Sequence, residues 1–117
     1  RQVAAKYLHG ITNDIIKLPK IDCKAPIDQY SQHVWHLFVI QCDKRDKFQE
    51  FLLEKGVQTL IHYPIPPHKQ RAYNNILDGS YPVTERIHQK AVSLPISGVQ
   101  TIGVTDNIIE IINKYVD

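Results

Sequence analysis

The sequence predicts an α+β (α/β-like) domain of two layers, a small sheet of three to five strands with helices mainly on one face. Short apolar runs with strand character at 15–18, 34–40, 57–62 and 93–96 alternate with amphipathic stripes of helical period at 3–11, 48–55, 83–91 and 108–116. The chain has 117 residues, which suits one domain spanning 1–117 that buries about two thirds of its unfolded surface. Apart from Gly10 and Pro95, the glycines and prolines fall between these runs, where they punctuate elements.

Val3, Ala4, Tyr7, Leu8 and Ile11 recur at helical spacing, so the chain opens with a helix that Gly10 stops. Residues 15–18 read as a short strand, and Pro19 puts it at an edge, where a missing donor costs little. Residues 22–31 carry no period, include Pro26, and read as a surface connection. The almost continuous apolar run 34–40 predicts a strand covered on both faces, with His36 as a core histidine bonded to the backbone. Asp43 and Asp46 predict a side-chain cap and an acidic first turn for a helix through Phe48, Phe51 and Leu52, ended by Gly56. The next strand starts at Val57. Strand, helix and strand can form a parallel crossover or a split unit with another strand between.

Beyond Gln70, residues 68–77 predict a short helix closed by the turn signal Asp78-Gly79-Ser80. Pro82 fits the first position of a helix whose Val83, Ile87 and Ala91 share a face. Ser93-Leu94-Pro95-Ile96 is short and apolar. Ile108, Ile109, Ile111, Ile112, Tyr115 and Val116 form the broad stripe of a last helix that covers the sheet, its start open between Thr101 and Thr105.

The net charge is +2, with both signs spread through the chain and basic residues not interleaved with aromatics, which argues against a nucleic-acid track. Cys23 and Cys42 are the two thiols in a chain with no signal-peptide pattern and no apolar run of membrane-spanning length. The expectation is a reduced, cytoplasmic protein without membrane association. There is no methionine and the chain opens inside a helical pattern, so it reads as the end of a longer protein. Six histidines raise the question of a metal site. His33 and His36 fall on opposite faces of an extended segment, and prolines hold His62 and His68 apart, so no metal is expected.

The stretch 57–70 is the most distinctive. Val57, Thr59 and Ile61 against Gln58, Leu60 and His62 make the two sides of a strand, and Pro64, Pro66 and Pro67 stop it. Each proline fixes φ and biases its predecessor to extended geometry, which predicts a nearly rigid rod over 63–67. Rigid loops at strand ends commonly carry function. His62 and Tyr63, at the mouth of this loop, are the candidate substrate-binding residues: an imidazole or phenol donates to hydroxyl or phosphate oxygens, and a phenol ring packs on a sugar face. Successive side chains leave a strand on opposite sides, so only one of the two is expected at the centre of a site.

Ile61-His62-Tyr63-Pro64 and Pro66-Pro67-His68-Lys69-Gln70, with the helix at 1–11, the strand at 33–39 and Val92-Ser93-Leu94-Pro95 in the same order, resemble the C-terminal small domain of DegT/DnrJ-type sugar aminotransferases. The resemblance covers nearly the whole chain. It implies the fold of the C-terminal domain of fold-type I aminotransferases and a parent enzyme that uses pyridoxal phosphate. That parent would move an amino group from an amino acid such as glutamate to a nucleotide-linked keto-deoxysugar, in surface-polysaccharide or antibiotic sugar biosynthesis. The form of residues 58–70 points to dTDP-linked 3-keto-6-deoxyhexoses. The implied partners are a large domain outside this chain and a second copy in a homodimer. The Schiff-base lysine belongs to that large domain, so this fragment by itself is expected to have no catalytic residue, to bind no cofactor and to be inactive. A stand-alone, non-catalytic binding module of the same fold is the alternative.

Overall fold

The computed structural model describes residues 1–21, 33–73, 76–77 and 79–117. Helix α1 (Gln2–Gly10) leads to the short strand β1 (Ile16–Lys17); β2 (Phe38–Cys42) is followed by α2 (Arg45–Glu54), and α3 (Pro82–Lys90) runs directly into β3 (Ala91–Leu94) before α4 (Ile102–Asn113). The order in the sheet is β1-β2-β3, antiparallel throughout, with Ile16 opposite Cys42 and Ile40 opposite Val92. The expected surface connection at 22–31 and Cys23 lie outside the described residues.

Paired residues of neighbouring strands share a face. Phe38, Ile40 and Cys42 with Val92 and Leu94 therefore form one side, and α1, α2 and α4 cover it with Tyr7, Phe48, Leu52, Ile108 and Ile112 in a single buried cluster. Helix α3 contributes nothing to that cluster; its Val83 and Ile87 line a groove with Lys17 and Gln41 on the other face. Helices lie mainly on one face, as the patterning predicts. Cys42 is fully buried at the end of β2, and burial pushes its thiol pKa up.

Two asparagines tie the ends of α1 and α4 together. Asn113 Nδ2 donates to the carbonyl of Gly10 at 2.8 Å, and its Oδ1 accepts from the amide of Thr12 at 2.9 Å. Asn13 Nδ2 reciprocates by donating to the carbonyls of Ile112 and Tyr115, both at 2.9 Å. Each side chain thus satisfies groups that a helix end leaves without a partner. Thr101 caps α4, its Oγ1 accepting from the Val104 amide at 3.3 Å, so the helix begins at the earlier threonine. Thr105 is buried one turn in, its hydroxyl donating to the Thr101 carbonyl at 3.0 Å.

Several expectations are corrected. Residues 34–40 do not form one continuous strand: β2 starts at Phe38, Val34 is 79 % exposed and His36 is exposed at a bend. The reason is parity. Phe38 and Ile40 face the core, so an unbroken strand would turn Trp35 away from it. Instead Trp35 takes a φ of 56°, its amide donates to His33 Nδ1, and its buried ring stacks between His33 and Phe38. His36 is then no core histidine. Asp43 does not cap α2, whose N-cap Lys44 makes no side-chain cap bond; Asp43 pairs with Lys90, and that bond holds its carboxyl below the usual range.

The segment after α2 is not a strand over 57–62. Val57 is buried, but the ladder holds only at Leu60, which exchanges both backbone hydrogen bonds with Ser93 at 3.3 and 2.8 Å. Leu60 is an edge residue, 64 % exposed. Because β3 lies between β2 and this bridge, the strand–helix–strand unit is the split one. Nor do residues 68–77 make one helix: Pro67–Lys69 and Arg71–Tyr73 are separate 3-10 turns, interrupted at Gln70 where ψ is 142°. Most of the turn at 78–80 is described too, although Asp78 lies outside the described residues.

Candidate functional site: the loop from Leu60 to Gln70

Bonds along its whole length hold this loop. Gln49 Nε2 donates to Thr59 Oγ1 at 2.9 Å and ties its entry to α2. The bridge between Leu60 and Ser93 then docks it on the edge of β3. Past the bridge, His62 is half-buried, with Nδ1 2.8 Å from Ser93 Oγ. Tyr63 is 67 % exposed. The two rings stand edge-on, with centroids 5.5 Å apart. The His62–Tyr63 peptide is cis.

The prolines do not produce a rod. The backbone bends at His62, Pro64 and Ile65 before the 3-10 turn at Pro67. Proline fixes φ but leaves ψ open, and here side-chain bonds to the carbonyls of Tyr63 and Ile65 hold a bent path. His88 Nδ1 on α3 hydrogen-bonds the Tyr63 carbonyl, and Gln70 Nε2 donates to the Ile65 carbonyl at 3.1 Å. Pro66 is buried beneath the bend.

Glu85 on α3 closes the far end. It accepts from Lys69 Nζ at 2.9 Å, pairs with His68 Nε2 at 3.1 Å and accepts from the Tyr81 amide at 3.3 Å. The bond from Lys69, then those from His68 and Tyr81, pull its carboxyl pKa down to about 2. The His68 ring also packs on Tyr81, centroids 4.8 Å apart. Glu85, His88 and Ser93 are the supports that the sequence reading does not single out. Glu85 and His88 sit three residues apart on one helix face, and Ser93 is a polar residue inside an apolar strand, so each left a faint signal.

Each lysine whose side chain is described is exposed or half-buried, and Lys6, Lys44, Lys69 and Lys90 pair with Asp106, Asp117, Glu85 and Asp43. Among the described residues no three His, Cys, Asp or Glu side chains converge as metal ligands, and no helix is long and apolar enough to cross a membrane.

A three-stranded antiparallel sheet backed by helices, with this loop on its open edge, is a domain of the fold-type I aminotransferases. The chain belongs to the DegT/DnrJ/EryC1/StrS aminotransferase family, whose model matches residues 2–113. That family depends on pyridoxal phosphate. Over 116 residues the chain is 47 % identical to the dTDP-3-amino-3,6-dideoxy-alpha-D-galactopyranose transaminase of Aneurinibacillus thermoaerophilus, covering 98 % of this chain and 30 % of that enzyme. It superposes on DesV of S. venezuelae, solved in complex with a ketimine intermediate, with a TM-score of 0.83 and 31 % identity over 99 % of this chain and 31 % of that one. NtdA of Bacillus subtilis, solved with bound cofactor PMP, gives a TM-score of 0.76 at 26 % identity, over 95 % of this chain and 26 % of its own. The chain thus spans under a third of the length of these relatives.

Proposed function

We propose that this chain is the small domain of a pyridoxal phosphate-dependent aminotransferase that aminates a nucleotide-linked keto-deoxysugar, with a dTDP-linked 3-keto-6-deoxyhexose as the substrate class. Family membership, together with the relative that forms a dTDP-3-amino-3,6-dideoxygalactose, supports the reaction. The observation that carries the site is that His62 and Tyr63 stand together on a loop tied down at both ends: one ring is anchored on Ser93, and the other, edge-on to it, is exposed to solvent. His62 and Tyr63 contact the sugar nucleotide in this reading. An exposed phenol stacks on a sugar face or donates to an oxygen, and the fixed imidazole offers its second nitrogen. The cofactor, its lysine and the amino-acid donor site belong to a larger domain and to a homodimer partner.

The test is a paired measurement on the full-length protein, with Tm and kcat/KM for Tyr63→Phe and His62→Ala. Losing one hydrogen bond lowers kcat/KM by the equivalent of about 0.5 to 1.5 kcal/mol for a neutral partner, or up to about 3 kcal/mol for a phosphate oxygen, with Tm held for Tyr63→Phe. If both variants keep wild-type kcat/KM, the loop is scaffold and the assignment is wrong.

A further inference from the structure

We infer that Ser93 is a positioning residue: its hydroxyl donates to His62 Nδ1 and so sets the Nε2–H tautomer, leaving His62 with a hydrogen-bond donor aimed away from the sheet. The inference rests on the reading of His62 as a sugar-nucleotide contact. Four observations carry it. Ser93 is 5 % exposed, at a position in β3 paired with Val39, so a bulk-water partner for its hydroxyl is remote. Its backbone is spent on Leu60 in both directions. Among the described residues the one hydrogen bond of its side chain is the 2.8 Å contact with His62 Nδ1. Neutral imidazole has one N–H and one bare nitrogen.

Were Nδ1 the protonated nitrogen, it would donate to Ser93 Oγ, and the serine proton would be left without an acceptor in a buried place, which proteins avoid. With Nδ1 bare, the serine proton has its acceptor, and the ring proton sits on Nε2. The contact also fixes the ring's rotation, because Oγ is held by the β3 backbone and not by a mobile loop. A donor in a set direction suits the oxygens of a sugar or a diphosphate; an acceptor there would repel the latter.

The experiment reads the tautomer and the kinetics separately on the full-length protein. Nitrogen-15 NMR of histidine-labelled protein should give His62 the shifts of an Nε2–H imidazole, with the preference lost in Ser93→Ala and kept in Ser93→Thr. With dTDP-3-amino-3,6-dideoxygalactose as the probe in the reverse direction, Ser93→Ala should raise KM about five-fold while kcat stays within about two-fold, as loss of one neutral hydrogen bond allows. Ser93→Thr should restore KM. An Nδ1–H tautomer in the wild type overturns the inference, and so does a Ser93→Ala variant with unchanged KM. If the wild-type protein does not turn over the probe, the substrate reading falls, and the tautomer measurement decides the Ser93 inference by itself. Should Ser93→Ala fail to fold, the wild-type tautomer and the Ser93→Thr variant still decide it.

Discussion

Gly56 shows how much a single residue decides. It has a φ of 79°, its amide donates to the Leu53 carbonyl, and the Val57 amide donates back to the Leu52 carbonyl at 2.8 Å. This pair of bonds closes α2 and sends the chain to the sheet edge, with Val57 buried against the core. A Cβ at Gly56 would meet nothing within 4 Å, so Gly56→Ala should lower unfolding free energy through backbone conformation alone, by about 1 to 2 kcal/mol, read from urea denaturation. An unchanged midpoint would mean that the turn relaxes. That glycine was legible as a stop. Trp35 was not: its left-handed backbone follows from the need to put its ring on the same side as Phe38, and the side chosen by Phe38 depends on helices far along the chain.

At the scale of elements, the proline loop and α3 form one device. Glu85 holds it through Lys69, His68 and the Tyr81 amide, and its carboxyl is depressed from 4.5 to about 2. A depressed acid stabilises the fold above its unfolded pKa and loses that contribution as pH falls through its folded value. Holding the loop to α3 should therefore be undiminished above about pH 4.5 and weaken progressively toward pH 2. Glu85→Gln should lower Tm relative to wild type by a constant amount above pH 4.5, and the gap should close toward pH 2. Thermal scans across that range check it, and a gap independent of pH would show that the contact is steric rather than ionic. Helix α3 itself was plain from Pro82 and the spacing of Val83 and Ile87, as was α4 from its isoleucines. The loop's bends were not, because a proline leaves ψ open and the bent path is held by bonds such as that of His88, on α3, to the Tyr63 carbonyl.

At the scale of the molecule, the described lysines are exposed or half-buried, several held in ion pairs, and the proposed role of the chain places the cofactor elsewhere. Treating the purified chain with pyridoxal phosphate and borohydride should label lysines only weakly and at several positions by mass spectrometry. Stoichiometric labelling of one lysine would reverse that view. The core offers a second check. Phe38 is fully buried against Tyr7, centroids 4.9 Å apart, and Phe38→Ala should destabilise the fold by about 3 to 5 kcal/mol in denaturant titration. A cost below about 1 kcal/mol would mean that the three helices do not pack there as described. By itself the sequence determined the class of the domain, four helical stripes and the place of the proline loop, since these depend on local periodicity and on residues with restricted backbones. Only the tertiary structure decided which short apolar runs pair as strands, that β3 enters between β2 and Leu60, and that Ser93, Glu85 and His88 hold the loop. Pairing and support of this kind join residues distant in the chain, and a single sequence carries no record of the distance between them in space.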